Sequence, residues 1–147
     1  MKTQINVSAA QSHKQNEFET YLTQGLKELH QKQNEAHAQN PKTMAQSFDI
    51  GNIIIEPALF DSIKNDDDAK FQIDYFLGHH SVGDCGELNY ATYLNNEAQF
   101  QQSEEKRGEI YSLWGYSEQE DQKAEFITNF QANVTVIRRE GSKFMAA

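Results

Sequence analysis

Apolar residues recur at helical spacing near the start of this chain and are concentrated in strand-like runs near its end. Between about residues 13 and 38 they return every three or four positions, which predicts one long amphipathic helix. Ser12, with Gln15 three residues later, is typical of a helix start, and Pro41 marks the break. The apolar stripe of this helix is narrow and consists of Phe18, Tyr21, Leu22, Leu26 and Leu29.

The narrow stripe allows two interpretations: the helix packs on the rest of the chain, or it pairs two protomers into a homodimer. Its polar second half slightly favours the second. Residues 1–11 should be extended, because apolar and polar side chains alternate there, and residues 40–47 should form a linker. We therefore divide the chain into an N-terminal segment, residues 1–47, and a globular domain, residues 48–147.

The first half of the domain predicts one strand and two short helices. The β-branched run Ile53–Ile55 indicates a buried strand, and Pro57 suits the first turn of a helix. Asp66–Asp68 should cap a helix of about residues 69–77, with Gly78 just past its end. We expect both apolar sides of that helix to be buried, through Phe71, Ile73, Tyr75, Phe76 and Leu77.

A further helix and three strands complete the predicted order. Asn89 should cap a helix of residues 90–102, with one apolar side made of Tyr90, Leu94 and Ala98. Enrichment in β-branched and aromatic residues predicts strands at 109–116, 124–130 and 133–139. Short connections favour antiparallel neighbours. The sequence thus predicts an α+β fold: a long N-terminal amphipathic helix, short helices, and an antiparallel three- to four-stranded sheet that the strand at Ile53–Ile55 should join.

Charge is spread unevenly between the two parts. Residues 1–47 hold five lysines and four acids, whereas residues 48–147 hold eight lysines and arginines and eighteen acids, a net charge of −10. Such a domain opposes direct binding to nucleic acid or anionic lipid, since that affinity depends on Lys and Arg neutralising phosphates. The charge suits solubility, and it also suits docking onto a basic partner.

The compartment follows from what the sequence lacks. No run of about 20 apolar residues is present, so we expect no membrane span. The first residues lack the apolar core of a signal peptide, and a single cysteine forms no internal disulfide. Together these features favour a cytoplasmic protein.

The side chains best suited to chemistry lie in one glycine-rich stretch, Leu77–Leu88. Its candidate metal ligands or nucleophiles are His79, His80, Asp84 and Cys85. No second Cys or His pair stands at ligand spacing, and no oxyanion-hole motif accompanies them. The favoured interpretation is structural: Asp84 accepts amide hydrogen bonds in a turn, His80 caps a helix end, and Cys85 packs in the core. We predict neither metal nor cofactor, and keep His80, Asp84 and Cys85 as weak catalytic candidates.

The acidic residues of the domain allow two interpretations as well. The simpler one is that they cap helices and solvate connections, as the run Asp66–Asp68 should do. The alternative is a negative interaction surface that resembles the charge of a nucleic-acid backbone. Its candidate residues are Asp61, Asp66, Asp67, Asp68, Asp74, Glu87, Glu104, Glu105, Glu118, Glu120 and Asp121.

Several short motifs in residues 50–139 occur in a recognisable order. They are the strand and turn Gly51–Leu59 with its Gly-x-Ile and Pro57, the pair His79–His80, the turn Gly83–Gly86, Asn95 or Asn96, Ser112, Ile127–Thr128 and Val134–Val136. This order resembles a family of small proteins found on plasmids and integrated mobile elements. The chain departs from the family pattern in having Cys85 where a tryptophan is usual and Gly78–His79 before the turn.

The resemblance implies an α+β fold and a setting on mobile DNA, and it brings no known reaction. With the charge of the domain it predicts a non-enzymatic interaction protein of phage or plasmid type. This protein would bind and inhibit a basic, nucleic-acid-handling host defence protein, such as a CRISPR effector or a restriction enzyme. Two alternatives remain open: a small hydrolase or transferase centred on His80, Asp84 and Cys85, and a self-associating accessory protein.

Overall fold

The computed structural model describes residues 2–39, 48–119 and 121–145, with side chains from residue 13 onward except at positions 37 and 39. The helices are α1 (Lys2–Gln39), α2 (Pro57–Ile63), α3 (Asp67–His80) and α4 (Tyr90–Gln101), and a short 3-10 helix follows at Glu104–Lys106. The strands are β1 (Asn52–Ile55), β2 (Glu109–Gly115), β3 (Lys123–Asn129) and β4 (Val134–Arg139). The predicted α+β class is confirmed. None of the described helices is long and apolar enough to cross a membrane.

The four strands form one sheet in the order β1-β4-β3-β2. Strands β2, β3 and β4 make the predicted antiparallel meander, joined by short connections. The early strand β1 does join the sheet, but it runs parallel to β4, so the sheet is mixed. A parallel neighbour is possible here because a long stretch of chain with three helices separates β1 from β4.

One face of the sheet carries the hydrophobic core, which α1, α2 and α3 cover. Alternate residues of each strand contribute to it, as the two-residue period of a strand requires. Burying a side chain of the size of Leu or Phe contributes about 1.5–3 kcal/mol, so this layer dominates stability. Its fully buried members include Leu22, Ile55, Leu59, Ile73, Phe126 and Ile137.

The N-terminal helix packs on the domain through three residues of its predicted stripe. Phe18, Leu22 and Leu26 are buried in the core, whereas Tyr21 and Leu29 are 59% and 38% exposed. The predicted extended segment at residues 1–11 is wrong, because α1 begins at Lys2 and passes through the expected cap at Ser12. No proline or glycine interrupts the helix there. The predicted linker at residues 40–47 lies outside the described residues.

Both edge strands are completed by groups that do not belong to strands. On β1, the Ile55 amide donates to Glu19 Oε2 (2.8 Å) and Gln15 Nε2 donates to the Ile55 carbonyl oxygen (2.7 Å). The side chain of Asn96 does the same for β2: its Nδ2 donates to the Tyr111 carbonyl oxygen (2.6 Å), and its Oδ1 accepts from the Tyr111 amide (3.0 Å). Buried Asn96 thus takes the place of a neighbouring strand.

The caps predicted for α3 and α4 are confirmed. Asp66 Oδ1 accepts from the Ala69 amide (3.0 Å), and Asn89 Oδ1 accepts from the Thr92 amide (2.9 Å). The predicted end of α3 is wrong, since the helix continues past Gly78 to His80. A Cβ at Gly78 would lie 3.2 Å from Leu29 Cδ2, so this glycine serves the crossing of α1 and α3.

Two predicted apolar faces are exposed. Phe71 and Tyr75 of α3 are 63% and 54% exposed, although Ile73 and Leu77 of the same helix are buried as expected. The prediction of which side of α4 is buried is also wrong, because Tyr90, Leu94 and Ala98 are all exposed. Helix α4 turns its polar residue Asn96 inward instead, because that side chain completes the edge of β2.

Replacing Asn96 with alanine should lower the free energy of unfolding by about 2–4 kcal/mol, because Tyr111 loses partners for both its backbone groups. Urea denaturation followed by Trp fluorescence measures the change. The matched control is Asn95→Ala, at the exposed neighbouring position, which should change stability by less than about 0.5 kcal/mol. Similar losses for the two variants would contradict the role assigned to Asn96.

Candidate functional site

The turn between α3 and α4 is shaped by its glycines and by Asp84. Gly83 and Gly86 have positive φ angles of 90° and 63°, a conformation that glycine adopts without steric cost. Asp84 Oδ1 accepts from the Gly86 amide (3.1 Å), which confirms the predicted turn bond. Its Oδ2 lies 3.1 Å from His79 Nδ1 at the surface. Asp84 therefore holds the turn together and is paired with His79, not with His80.

His80 ends α3 with its ring in the core, where 1% of the residue is exposed. Its Nε2 lies 2.8 Å from Thr128 Oγ1. Thr135 Oγ1 donates to the Ile50 carbonyl oxygen (2.6 Å), so its single proton is used there. The Thr128 hydroxyl must then donate to Thr135 Oγ1 (2.6 Å) and accept from His80. His80 therefore carries its proton on Nε2.

The other ring nitrogen leads to the same tautomer. Trp114 Nε1 donates to Ser112 Oγ (2.7 Å), which leaves the Ser112 hydroxyl to donate to His80 Nδ1 at 2.6 Å. The neutral ring satisfies every donor of this network, whereas a charged ring would force a second N–H onto Ser112. Burial accordingly lowers the pKa of His80 to about 3. The network joins α3 to three strands of the sheet and occupies both nitrogens of His80.

Cys85 lies in a third environment. Its Sγ accepts from Asn96 Nδ2 at 3.2 Å and lies 3.7 Å from the Gly83 carbonyl oxygen, and the residue is half-buried rather than in the core. His80, Asp84 and Cys85 are close in sequence, but the structure gives each of them different hydrogen-bond partners. Within the described ranges, no group of three or more His, Cys, Asp or Glu side chains is arranged to hold a metal ion.

Most of the acids predicted to form the interaction surface are exposed. Asp74 is half-buried, and Glu120 lies outside the described residues; the other nine predicted acids are exposed. Three of them form ion pairs with lysines of the same chain: Asp61 with Lys64, Asp67 with Lys70, and Glu87 with Lys123. The exposed acids that remain outside those pairs include Asp68, Glu104, Glu105, Glu118 and Asp121.

Few cations are free to balance these acids. Among the described residues after position 47, five of the eight lysines and arginines are paired with a carboxylate of this chain. Arg107 instead lies over the rings of Phe100 and Phe130, at 5.6 and 5.4 Å from their centroids. The surplus of negative charge is therefore presented to solvent.

Aromatic rings lie beside acids on the outer side of α1 and α3. We call this group, Tyr21, Asp67, Phe71, Asp74 and Tyr75, the aromatic–acidic face. Asp67, Phe71 and Tyr75 are spaced by four residues and so lie in one row of α3. The side chain of Tyr21 on α1 lies next to the Asp74 carboxylate. Exposed Tyr and Phe of this kind are frequent in protein interfaces.

The electrostatics of this face centre on Asp74. Its carboxylate lies close to Gly25, where a Cβ would be 3.7 Å from Oδ1. Burial raises the pKa of Asp74, and the neighbouring Tyr21 side chain offsets part of that rise. Asp74 was predicted to be one of the surface acids, whereas its neighbours Phe71 and Tyr75 were predicted to be buried. Phe71 and Tyr75 follow Asp67 at intervals of four residues, in a different helical row from the buried Ile73 and Leu77. This spacing could have shown that the two rings lie on the exposed side of α3.

Comparisons with protein-family models, with curated proteins and with solved structures found no match to this chain.

The ring of His80 should remain neutral and protonated at Nε2 when the folded protein is taken from pH 7 to pH 4.5. Imidazole ¹⁵N–¹H correlation spectra report the tautomer and the charge directly. A charged ring in this range, or a proton on Nδ1, would contradict the network derived above.

The same network should make stability depend on pH. Unfolded His80 takes up a proton below about pH 6.5 and the folded residue does so near pH 3, so the unfolded state binds more protons between these values. The free energy of unfolding should therefore fall by about 1.4 kcal/mol per pH unit as pH drops through this window. Denaturant titrations at several pH values, compared with His80→Gln, isolate this slope, which the variant should lose.

Proposed function

We propose that this chain is an acidic binding protein that docks onto the positively charged groove of a nucleic-acid-handling protein and blocks it. The observation that carries the proposal is the exposed surplus of carboxylates, most of whose potential counter-ions are already paired within the chain. The protein then acts by occupying a surface and not by chemistry.

The sign of the charge decides the class of partner. A domain with a net charge of −10 is repelled by phosphates, so nucleic acid and anionic lipid are poor partners. A basic groove attracts it over distances up to the Debye length, about 8 Å at physiological salt. Electrostatic complementarity of this kind speeds association and favours basic partners over others.

The aromatic–acidic face adds contact area that charged side chains alone do not provide. Rings such as Phe71 and Tyr75 contribute contact area at an interface at little cost in side-chain entropy. Binding energy in interfaces is concentrated on a few Tyr, Trp and Arg residues. Exposed rings together with exposed acids therefore fit a specific partner better than they fit solubility alone.

The concrete form of the proposal is inhibition of a host defence protein in the cytoplasm, either a CRISPR effector or a restriction enzyme. It rests on the resemblance of residues 50–139 to proteins of plasmids and integrated mobile elements, together with the charge. Such elements gain by blocking enzymes that bind DNA or RNA through basic grooves.

The proposal predicts a salt-sensitive partner whose nucleic-acid binding is blocked. The protein should capture a basic protein from a nuclease-treated host lysate at low salt and release it at high salt. Adding the protein to the purified partner should then displace labelled duplex DNA or RNA, measured by fluorescence anisotropy.

A charge variant serves as the matched comparison. Changing Glu104 and Glu105 to Gln, with Glu118 to Gln and Asp121 to Asn, removes four exposed charges and leaves the core intact. This variant should bind the partner at least about tenfold more weakly and with a smaller salt dependence. Recovery of no nucleic-acid-binding protein, or binding that does not change with salt and charge, would contradict the proposed function.

A further inference from the structure

Resting on the proposed function, we propose that the groove between α1 and α3 binds an arginine side chain from a basic segment of the partner. In this arrangement the guanidinium stacks on the ring of Tyr75 and forms an ion pair with Asp74.

The groove lies where α1 crosses α3. Gly25 on α1 and Gly78 on α3 are among the residues that line its open space of about 430 Å³. Pockets that hold small ligands begin at about 300 Å³. The floor of the groove is apolar, with Leu26, Leu29 and Leu77 among its lining residues, and Asp74 and Tyr75 stand at its side.

Asp74 is suited to pair with a guanidinium. A carboxylate offers about four acceptor positions, enough for a guanidinium beside the neighbouring Tyr21 side chain. A guanidinium presents several N–H donors in a planar fork that matches a carboxylate. Because Asp74 is half-buried, an ion pair there is less screened by salt than one at the open surface.

Tyr75 supplies a positioned aromatic ring. It is 54% exposed, yet its ring also contacts His79 and Phe76 with centroid distances of 4.7 and 5.7 Å. These contacts restrict the orientation of the ring, and a cation over an aromatic face gains about 0.5–2 kcal/mol. The apolar floor suits the methylene stem of the bound side chain.

The charges along α3 are complementary to a basic segment rather than to a single isolated cation. Asp67, which is paired with Lys70, lies in the first turn of the helix, and Asp84 lies beyond its other end beside His79. A partner segment that lies along α3 with an arginine at Asp74 therefore meets further carboxylates on both sides. An arginine should be preferred to a lysine at the centre, since a lysine lacks the planar fork and stacks poorly.

Two synthetic helical peptides test the inference, identical except that one carries arginine and the other lysine at every basic position. Their affinities for the full chain are measured by calorimetry, and their positions by NMR shifts of the Tyr and Phe rings. We expect the arginine peptide to bind at least about fivefold more tightly, with the largest shifts at Tyr21, Phe71 and Tyr75.

Variants locate the site. Asp74→Asn and Tyr75→Ala should each weaken binding of the arginine peptide about tenfold. Tyr90→Ala, at an exposed tyrosine on α4, and Asp68→Asn, an equal change of charge on α3, should weaken it less than about twofold. Circular dichroism confirms that each variant is folded, and Tyr75→Phe, which keeps the ring, should bind normally.

Outcomes for this site and for the proposed function are separable. Equal binding of the two peptides, or equal effects of Asp74→Asn and Asp68→Asn, would overturn the arginine site. If the captured partner is still inhibited by the Asp74→Asn variant but not by the variant that lacks four surface acids, the proposed function stands and the site falls. Specific arginine-peptide binding without any basic partner would support the site and overturn the function.

Discussion

The buried ring of His80 is the contact on which the arrangement of this fold depends. It accepts a hydrogen bond from Ser112 on β2 and donates one to Thr128 on β3, and through Thr135 the same chain of hydroxyls reaches β4 and the Ile50 carbonyl oxygen. An apolar core alone would let a helix slide on a sheet, whereas these directional bonds fix where α3 ends. The turn that follows, and the start of α4, are placed by that end.

Sequence patterns predicted the elements whose signals are local. The three strands of the meander, the short helix at Pro57 and the caps at Asp66 and Asn89 all lie within a residue or two of their predicted positions. These features depend on β-branched composition, a fixed backbone angle or a single side-chain acceptor. The α+β class followed from their order along the chain.

Features that depend on tertiary contacts were missed. Gly78 looked like a helix end because glycine usually marks one, but its missing side chain is used where α1 crosses α3. The inner side of α4 could not be predicted, because Asn96 faces inward to bond an edge strand distant in sequence. The candidate site shows the same division: Asp74 was predicted from charge, whereas the rings beside it were assigned to the core.

The covered edges of the sheet limit how this protein can assemble with others. At the β2 edge, Asn96 bonds the backbone amide and carbonyl of Tyr111. At the β1 edge, Glu19 and Gln15 bond those of Ile55. A visiting chain therefore finds few unoccupied backbone partners at these positions, and β-augmentation is disfavoured. Any complex that this molecule enters must therefore be held mainly by side chains, and a few substitutions among them can change which partner is bound.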